Sequence, residues 1–484
     1  MQVDSRGLGL FRILFCISLL GEVLTILNYR HVIYDPIPFI QFSEVNFGYL
    51  ILIWIIALIL LIFGYQTRIA AVVNYVMTLS LIGTSHNFEY HIFYTYLSVG
   101  FLFMFIGIDR GFSVDAWLAK RNGQHMQTSV PFLHKMMPLF FGIGTIYFNS
   151  FIHKLSSPIW MHGLGLWLPS SVSMLSKSNL QWLLDKEYFC YLASWLVLFY
   201  EACFFVLVWF RKVRLPLFLI GIPFHIGILL LYPIPWFALS YITVLTLLLP
   251  DTIWKKSDVF DSASFSKDVT SMEVSKFAYI IPVILFLELN CLLGSGIFLR
   301  LQEKLGMVNG RKWQSFQNVS KKLLIFSTST LGINKHDVFM DFHFTGYNHN
   351  IALVYVAKDG KKSFIPVTNE NGHPGKYLIG FNWAKWGFRS NGTYINPKAL
   401  EDGIQRYSAY FLVNEELGLE RRSHFEVVVK KFDSPTGWEK GFLTRMDNRP
   451  WRSIGYFDWE KRKMTLVLPD IEATDVDTYP LFVK

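Results

Sequence analysis

Long apolar segments follow one another along the chain up to about Phe298, separated by short polar loops. Most are close to the roughly 20 residues that a helix needs to cross the hydrocarbon core of a bilayer. The pattern therefore predicts nine membrane-spanning helices, at residues 8–29, 47–65, 69–85, 92–108, 131–152, 188–210, 215–231, 236–249 and 277–298. The first contains Arg12 and Glu22 and lacks a small-residue cleavage site, which is typical of a retained signal anchor.

The pattern changes after about residue 299 to short β-prone runs at 338–344, 351–356, 425–429 and 464–468. Turn signals such as Asp359-Gly360 separate several of them, so a mainly β domain is predicted, with a sandwich as its natural architecture. The predicted fold class is a polytopic α-helical membrane domain of about nine transmembrane helices over residues 1–299. A soluble, mainly β extracytoplasmic domain follows over residues 300–484.

Composition and charge narrow the class of protein. The chain has 484 residues, of which 52% are hydrophobic, too many for an ordinary soluble protein. The net charge of +9 lies largely in short loops between apolar segments, where it sets topology, so we exclude nucleic acid as a partner. Most loop lysines and arginines fall on the side of the N-terminus, which predicts a cytoplasmic N-terminus. All four cysteines lie in predicted membrane segments, and no disulfide framework is implied.

Ionisable residues inside the predicted spans are the candidates for chemistry. Four of them are flanked by apolar residues on both sides: Arg12, Glu22, Glu201 and His225. Ionisable side chains in such positions more often belong to an internal polar site than occur there by chance. The structural alternatives are that the charged groups pair with one another and that His225 is an ordinary core histidine. His336, His343 and His349 are close in sequence but fit no zinc pattern, so we predict no metal site.

Lys154 stands at the end of a nearly uniform apolar helix, in the stretch Tyr147-Phe-Asn-Ser-Phe-Ile-His-Lys154. A lysine at a helix end can simply extend its ammonium to the membrane surface. The following Pro158, Trp160, His162 and Gly163 instead suggest a re-entrant or interfacial turn that covers the lysine. A lysine removed from water in this way would lose its proton readily and could act as a base near neutral pH.

The order of these elements resembles a known family. The elements are Phe11-Arg12-Ile-Leu-Phe15 with Glu22, Gly64-Tyr-Gln-Thr-Arg68, Asn87 to His91, Ser113-Val-Asp115, Lys154-Leu155 with Trp160 and Gly163, Glu201, and Phe224-His225. Over about residues 5–250 they resemble the membrane domain of vitamin K-dependent γ-glutamyl carboxylase and its bacterial relatives, the HTTM family. The resemblance implies an integral membrane protein, in bacteria of the inner membrane, with a mainly β domain on the extracytoplasmic side.

The resemblance also implies a reaction. Lys154 matches the lysine that deprotonates reduced vitamin K, or a related quinol, which with O₂ yields a base strong enough to remove a γ-proton from glutamate. The glutamate, in a peptide or protein, then captures CO₂. His91 matches a histidine needed at that second stage, so Lys154 and His91 are the expected catalytic residues. His225, Glu201, Trp160 and His153 are the expected cofactor-binding residues, and membrane lipid is a further expected partner.

The sequence departs from the animal carboxylase at three points. His153 stands where that enzyme has a second lysine, the soluble domain is much shorter, and no cysteines are placed for a disulfide between the two domains. Because a fold does not determine a function, a second hypothesis stays open. In it, the chain is a non-catalytic membrane protein that binds a quinone or lipid and uses its β domain to engage a partner.

Overall fold

The computed structural model describes residues 2–83, 90–124, 127–256, 271–306, 311–417, 424–459, 463–466 and 479–483. Up to the end of the apolar region its helices are α1 Ser5–Asn28, α2 Arg30–Tyr34, α3 Phe47–Phe63, α4 Thr67–Gly83, α5 Ile92–Phe103, α6 Val114–Arg121, α7 Phe132–Leu139, α8 Thr145–Lys154, α9 Pro158–Met161, α10 Trp167–Ser171, α11 Gln181–Leu184, α12 Glu187–Leu207, α13 Arg214–Leu231, α14 Pro235–Leu245 and α15 Ser271–Leu292. A short pair of strands, β1 Gln2–Asp4 and β2 Ser129–Pro131, joins the N-terminus to the start of α7.

Helices coincide with every predicted span, and several are apolar enough to indicate a membrane protein. Among the described residues, three are long and apolar enough to cross a bilayer: Ser5–Asn28, Glu187–Leu207 and Arg211–Leu231. A fourth crossing is possible for Tyr279–Leu292 with Gly296–Lys304, but this pair is bent by 74°. The helix at the predicted span 277–298 therefore ends at Leu292, and the chain continues at an angle from Gly296. That all nine segments cross the membrane stays a prediction.

The helix that ends in Lys154 is interrupted in the middle. Between α7 and α8 the segment Phe140–Gly144 forms a π-helix, and Pro138 lies just before it. Gly142 faces α5 so closely that a Cβ there would come within 2.9 Å of Val99 Cγ2. A single π turn rotates the residues beyond it relative to a regular α-helix, and such turns are frequent at functional sites. The π turn at Phe140–Gly144 therefore sets the direction in which the Lys154 end of α8 points.

A cluster that we call the Arg12 latch ties together the helix ends near α6. The Arg12 guanidinium donates to the carbonyls of Ile108 and Phe112, both at 2.6 Å. Asp115 accepts from the Thr67 amide at 2.9 Å and from the Thr67 hydroxyl at 2.7 Å. The alternative in which Arg12 pairs with Glu22 is therefore wrong, because the guanidinium is occupied by loop carbonyls. In this region the residues that carry the family resemblance stabilise the bundle.

The C-terminal region contains one sheet and five helices among the described residues. The helices are α16 Gly296–Lys304, α17 Arg311–Phe326, α18 Phe381–Lys385, α19 Pro397–Asn414 and α20 Phe442–Asp447. The strands are β3 His349–Val356, β4 Lys362–Phe364, β5 His424–Lys431, β6 Arg452–Asp458 and β7 Lys463–Leu466, antiparallel in the order β4-β3-β5-β6-β7. The predicted β runs at 351–356 and 425–429 are confirmed, whereas 338–344 is wrong because it holds a short 3₁₀ turn at Asp341–His343.

A helix, not a second sheet, covers one face of this sheet. Phe411 of α19 lies against Tyr355 and Phe425, with ring centroids 5.6 and 6.3 Å apart. The other face carries Ala352 and Val354, packed with Trp451, as the two-residue period of a strand requires. In the described residues the predicted sandwich is thus replaced by a helix-covered sheet.

The two regions pack directly on each other and share one hydrophobic core. The Tyr29 hydroxyl at the end of α1 donates to the carbonyl of Lys376 at 2.7 Å. The amide of Gly380 donates to the carbonyl of Pro233, also at 2.7 Å. The C-terminal region therefore helps to form the end of the helix bundle where Lys154 lies.

Candidate functional site

Lys154 is the last residue of α8 and is buried, with 5% of its surface exposed. Its ammonium is 2.6 Å from Glu201 Oε1, and Glu201 projects from the middle of α12. Ser150, one turn earlier on α8, also reaches the same oxygen at 3.5 Å. The other carboxylate oxygen, Oε2, is buried and has no hydrogen-bond partner among the described residues. Lys154 therefore does not extend to the surface, because it is held against a carboxylate inside the bundle.

Trp160 forms a wall over the lysine. The Lys154 ammonium lies 4.1 Å from the centroid of its indole, a cation–π contact. The indole Nε1 donates to the carbonyl of Phe339 at 2.8 Å, which fixes the ring from the C-terminal region. Gly165 faces the ring from the chain that follows, and a Cβ there would come within 2.3 Å of the indole. The turn predicted to cover Lys154 is formed by the short helix α9, with Pro158 in its first turn.

His225 lies in an aromatic stack deeper in the bundle. Its Nε2 is 2.5 Å from the Tyr147 hydroxyl, and its ring is stacked on Tyr241 at 5.0 Å with an angle of 7°. Tyr147, Ser150 and Lys154 recur at helical spacing along one face of α8. His225 is therefore connected to Lys154 along that face and does not touch it. Its Nδ1 is buried without a hydrogen-bond partner in the described part of the chain.

His91 lies in a second polar group on the side of the C-terminal region. Its Nδ1 is 3.1 Å from Nδ1 of His336, so one of the two nitrogens must carry the proton and the other must accept it. The His336 amide donates to the Asn149 side-chain oxygen of α8 at 3.0 Å. Burial and the neighbouring His91 and His153 hold the pKa of His336 well below its usual range. The two imidazoles of this pair are thus kept neutral and in opposite tautomers.

His153 belongs to this second group. Because it directly precedes Lys154, its side chain points to another side of α8. There it helps to lower the pKa of His336. Its Nε2 is buried and has no hydrogen-bond partner among the residues that the structure describes. The six predicted site residues therefore fall into two groups joined by α8. Lys154, Glu201 and Trp160 form the first group, with His225 behind it, and His91 and His153 lie in the second.

Sequence reasoning missed His336 as a site residue. The sequence analysis considers it only as a possible metal ligand, together with His343 and His349. In the described residues no group of three or more His, Cys, Asp or Glu side chains is arranged to hold a metal ion. His336 reaches the site because Asn149 holds its backbone, a contact between residues 187 positions apart. No local pattern in the sequence signals that contact.

The first group is equipped for proton transfer. An amine and a carboxylate in contact can exchange a proton, and burial makes the exchange sensitive to any third group that enters. Within the described residues, Oε2 of Glu201 and Nδ1 of His225 are further buried polar atoms without a hydrogen-bond partner. With the aromatic rings beside them, they are polar and apolar groups that a bound molecule could contact.

Comparison with known proteins adds one positive result. A family model described as "HTTM domain" matches residues 1–254, more than half of the chain. No curated protein and no solved structure matches. The matched range contains Lys154, Glu201, Trp160, His225, His91 and His153. It ends before His336 and the rest of the C-terminal region.

Proposed function

Since this chain belongs to the HTTM family, we propose that it is an integral membrane enzyme of the vitamin K-dependent γ-carboxylase type. In this proposal it couples the oxidation of a reduced quinone by O₂ to the carboxylation of glutamate in a peptide or protein. One observation carries the proposal: a lysine at the end of an apolar helix is buried in contact with a carboxylate and covered by a tryptophan. A lysine that only anchored the helix would extend into water.

The proposal includes an arrangement in the membrane. The segments predicted from the sequence would cross nine times, with the N-terminus in the cytoplasm, residues 1–299 as the membrane domain and residues 300–484 outside. The presence of a helix at each segment and the bias of basic loop residues support this arrangement. A bacterial inner membrane is the proposed location, by resemblance to the bacterial members of the family.

The role of Lys154 requires a partner that can take its proton. As an ammonium it has no lone pair, so it cannot act as a base. Transfer along the 2.6 Å contact breaks one N–H bond of Lys154 and forms one O–H bond on Glu201. The pair stays neutral as a whole, and the amine can then accept the proton of a bound hydroxyl. We therefore propose Lys154 as the base and Glu201 as the residue that stores the proton.

The described residues fit a reduced quinone. Glu201 Oε2 and His225 Nδ1 are buried polar atoms with no hydrogen-bond partner in the described ranges, and quinol hydroxyl groups could bond to them. Tyr147 and Tyr241 provide flat rings beside His225, and Trp160 closes the end at Lys154. When bound, the quinol would supply, with O₂, the strong base that acts on glutamate. The protein would supply the first proton acceptor, the orientation and a site from which water is excluded.

The second group is proposed to act on glutamate. His91 carries this assignment by resemblance, and His336 fixes its tautomer through the contact between the two Nδ1 atoms. A neutral imidazole of fixed tautomer presents a defined donor or acceptor to a reacting group. Because His336 comes from the C-terminal region, the substrate and the site would meet at the junction of the two regions.

The test is incorporation of ¹⁴C-bicarbonate into glutamate peptides by the purified protein in lipid nanodiscs, with a reduced quinone. Quinol oxidation is followed in the same samples, so the two half-reactions are measured separately. We expect both activities, and γ-carboxyglutamate in the hydrolysed peptide. Quinone binding without oxidation of the quinol by O₂ would contradict the proposal. It would favour the non-catalytic alternative, in which the Lys154–Glu201 ion pair only holds α8 and α12 together.

A further inference from the structure

Helix α17, in the region predicted to be soluble, exposes an apolar stripe. Phe316, Val319 and Phe326 recur at helical spacing and are exposed by 45%, 57% and 56%. Gln317 is also exposed, on the opposite side of the helix from Val319. Ordinary soluble helices turn such a stripe toward a core. This one lies beside the buried face of α17 and has no cover from the described residues.

The inner face of α17 packs on helices of the apolar region. The Asn290 amide of α15 donates to the carbonyl of Ser320 at 3.1 Å. After α17 a π-helical turn at Ser327–Leu331 leads the chain between α4 and α5. There Tyr75, in the middle of α4, donates to the carbonyl of Thr330 at 2.7 Å. The chain thus returns to the side of the helix bundle after the 74° bend that ends α15.

The helices on both sides of this hairpin also expose apolar side chains. On α15, Val283 and Phe286 are exposed by 55% and 58%. On α4, Val72 and Val76 are exposed. These helices belong to the apolar segments of the membrane region, so their outward faces are suited to acyl chains. The stripe on α17 continues the same apolar surface.

Two lysines on α17 lie at the depth expected for lipid headgroups. Lys321 and Lys322 are exposed and directly follow Ser320, which is level with Asn290 near the end of α15. Phe326 lies one turn further toward the middle of α4. Basic residues at the headgroup level with apolar residues below them are typical of helices that lie in a membrane interface.

From these contacts we infer that α17 and the π turn after it are inserted into the bilayer half nearer the C-terminal region. Phe326 and the π turn contact acyl chains, and Val319, Lys321 and Lys322 lie at the level of the headgroups. Lipid covers the exposed stripe, because the apolar surfaces of α15 and α4 on both sides of it must also be covered by acyl chains. This inference is independent of the proposed enzymatic activity. It means that the chain meets the membrane again after the last predicted span.

The test compares two cysteine variants of the full chain, Val319→Cys and Gln317→Cys, each labelled with a small fluorophore in a Cys203→Ser background. Cys16, Cys190 and Cys291 are buried and are expected to stay unlabelled. The proteins are placed in phosphatidylcholine nanodiscs with brominated acyl chains, which quench only a fluorophore in contact with lipid. A third variant, Phe326→Cys, reports on greater depth.

We expect brominated lipid to remove most of the fluorescence at position 326, part of it at 319 and little at 317. Iodide in the buffer should quench in the opposite order. Equal quenching by iodide at 317 and 326, with no effect of brominated lipid, would overturn the inference. So would protection of 319 from both quenchers together with disulfide-linked dimers of Val319→Cys, because the occupant would then be a second copy of the chain.

Discussion

Two buried lysines of this protein have almost the same surroundings and very different partners. Lys154, in the helix bundle, lies 4.1 Å from the Trp160 ring, and Lys430, on strand β5, lies 4.8 Å from the Trp451 ring. Both are almost fully buried. Lys154, however, contacts a carboxylate, whereas Lys430 donates to the backbone carbonyls of Asn371 and Asp447 at 3.1 and 2.6 Å.

The difference shows which feature makes a buried lysine suitable for proton transfer. A backbone carbonyl stabilises an ammonium and cannot take its proton, so Lys430 has a fixed structural role. A carboxylate can accept the proton and return it. Both lysines are buried against an aromatic ring, so these two features do not determine whether a lysine can transfer its proton. The chemistry of the hydrogen-bond partner distinguishes them. Arg12 resembles Lys430 in this respect, since its two partners are carbonyls.

The largest expected effect is the loss of turnover in Lys154→Met. The variant lacks the proposed base, so quinol oxidation should fall to background, while Lys430→Met should keep it per folded molecule. Lys154→Arg should not restore turnover, because a guanidinium stays protonated at any usable pH. The turnover of each variant is measured by quinol oxidation and by ¹⁴C-bicarbonate incorporation. Near-normal turnover in Lys154→Arg would show that the lysine is only a structural cation.

Arg12→Met should produce the largest loss of stability. The Ile108 carbonyl, in a buried hydrogen bond, would lose its charged donor at a cost of about 1–3 kcal/mol, and the partly buried bond to the Phe112 carbonyl would be lost as well. We expect a clear fall in the thermal unfolding midpoint and in the yield of monodisperse protein, measured by tryptophan fluorescence and size exclusion. The turnover of the molecules that do fold should stay close to normal. If turnover were lost without any change in stability, the latch would have to be regarded as part of the site.

A smaller effect is expected from Gly165→Ala. The new methyl group would come within 2.3 Å of the indole, so the Trp160 ring must shift and its contact with Lys154 is disturbed. Losing a cation–π contact worth about 1–2 kcal/mol would lower quinol turnover roughly tenfold. Gly227→Ala in α13 is the matched control, because a Cβ there meets nothing within 4 Å. Equal turnover in the two variants would mean that the tryptophan wall does not matter.

The smallest effect concerns pH and Lys430. Burial lowers the pKa of Lys430 to about 8, against 10.5 for an exposed lysine. Between these values the unfolded chain binds more protons than the folded one, so the free energy of unfolding should rise with pH. The penalty of holding a buried ammonium is complete below pH 8 and disappears by about pH 10.5. Unfolding midpoints between pH 8 and 10 should rise more for the wild type than for Lys430→Met, and parallel curves would refute the assignment.

Local patterns were sufficient to predict most of the helices. Each apolar run became a helix because backbone groups among apolar side chains must pair internally. The break after α15 had a signal, Gly294-Ser-Gly296, that hydrophobicity alone conceals. Helix α19 also had one, since Asn396 caps its N-terminus and Pro397 occupies its first turn. The β-prone runs on both sides of it dominate the pattern of that region, so the sequence analysis does not predict this helix.

Most residues of the candidate site could be named from the sequence, but not His336 and not the contacts among them. Lys154 and Glu201 are 47 positions apart on different helices, and nothing in either helix specifies that their side chains meet. His225 was expected to line a pocket, and its contact with Tyr147 depends on how two helices pack. Membrane helices associate through detailed packing of their surfaces, which no periodicity records. The tertiary contacts that assign partners therefore had to come from the structure.

The bond that holds Trp160 has a consequence for synthesis. The Trp160 indole donates to the carbonyl of Phe339, which is 179 residues further along the chain. The Ile159 amide donates to the Asp341 carboxylate, which is 182 residues further along. While the ribosome is still making the C-terminal region, the helices up to α14 are already made and the cover over Lys154 lacks these two hydrogen bonds. The order of translation thus places the fixing of this cover after the synthesis of the helices that it covers, and a chain truncated before Phe339 would lack both bonds.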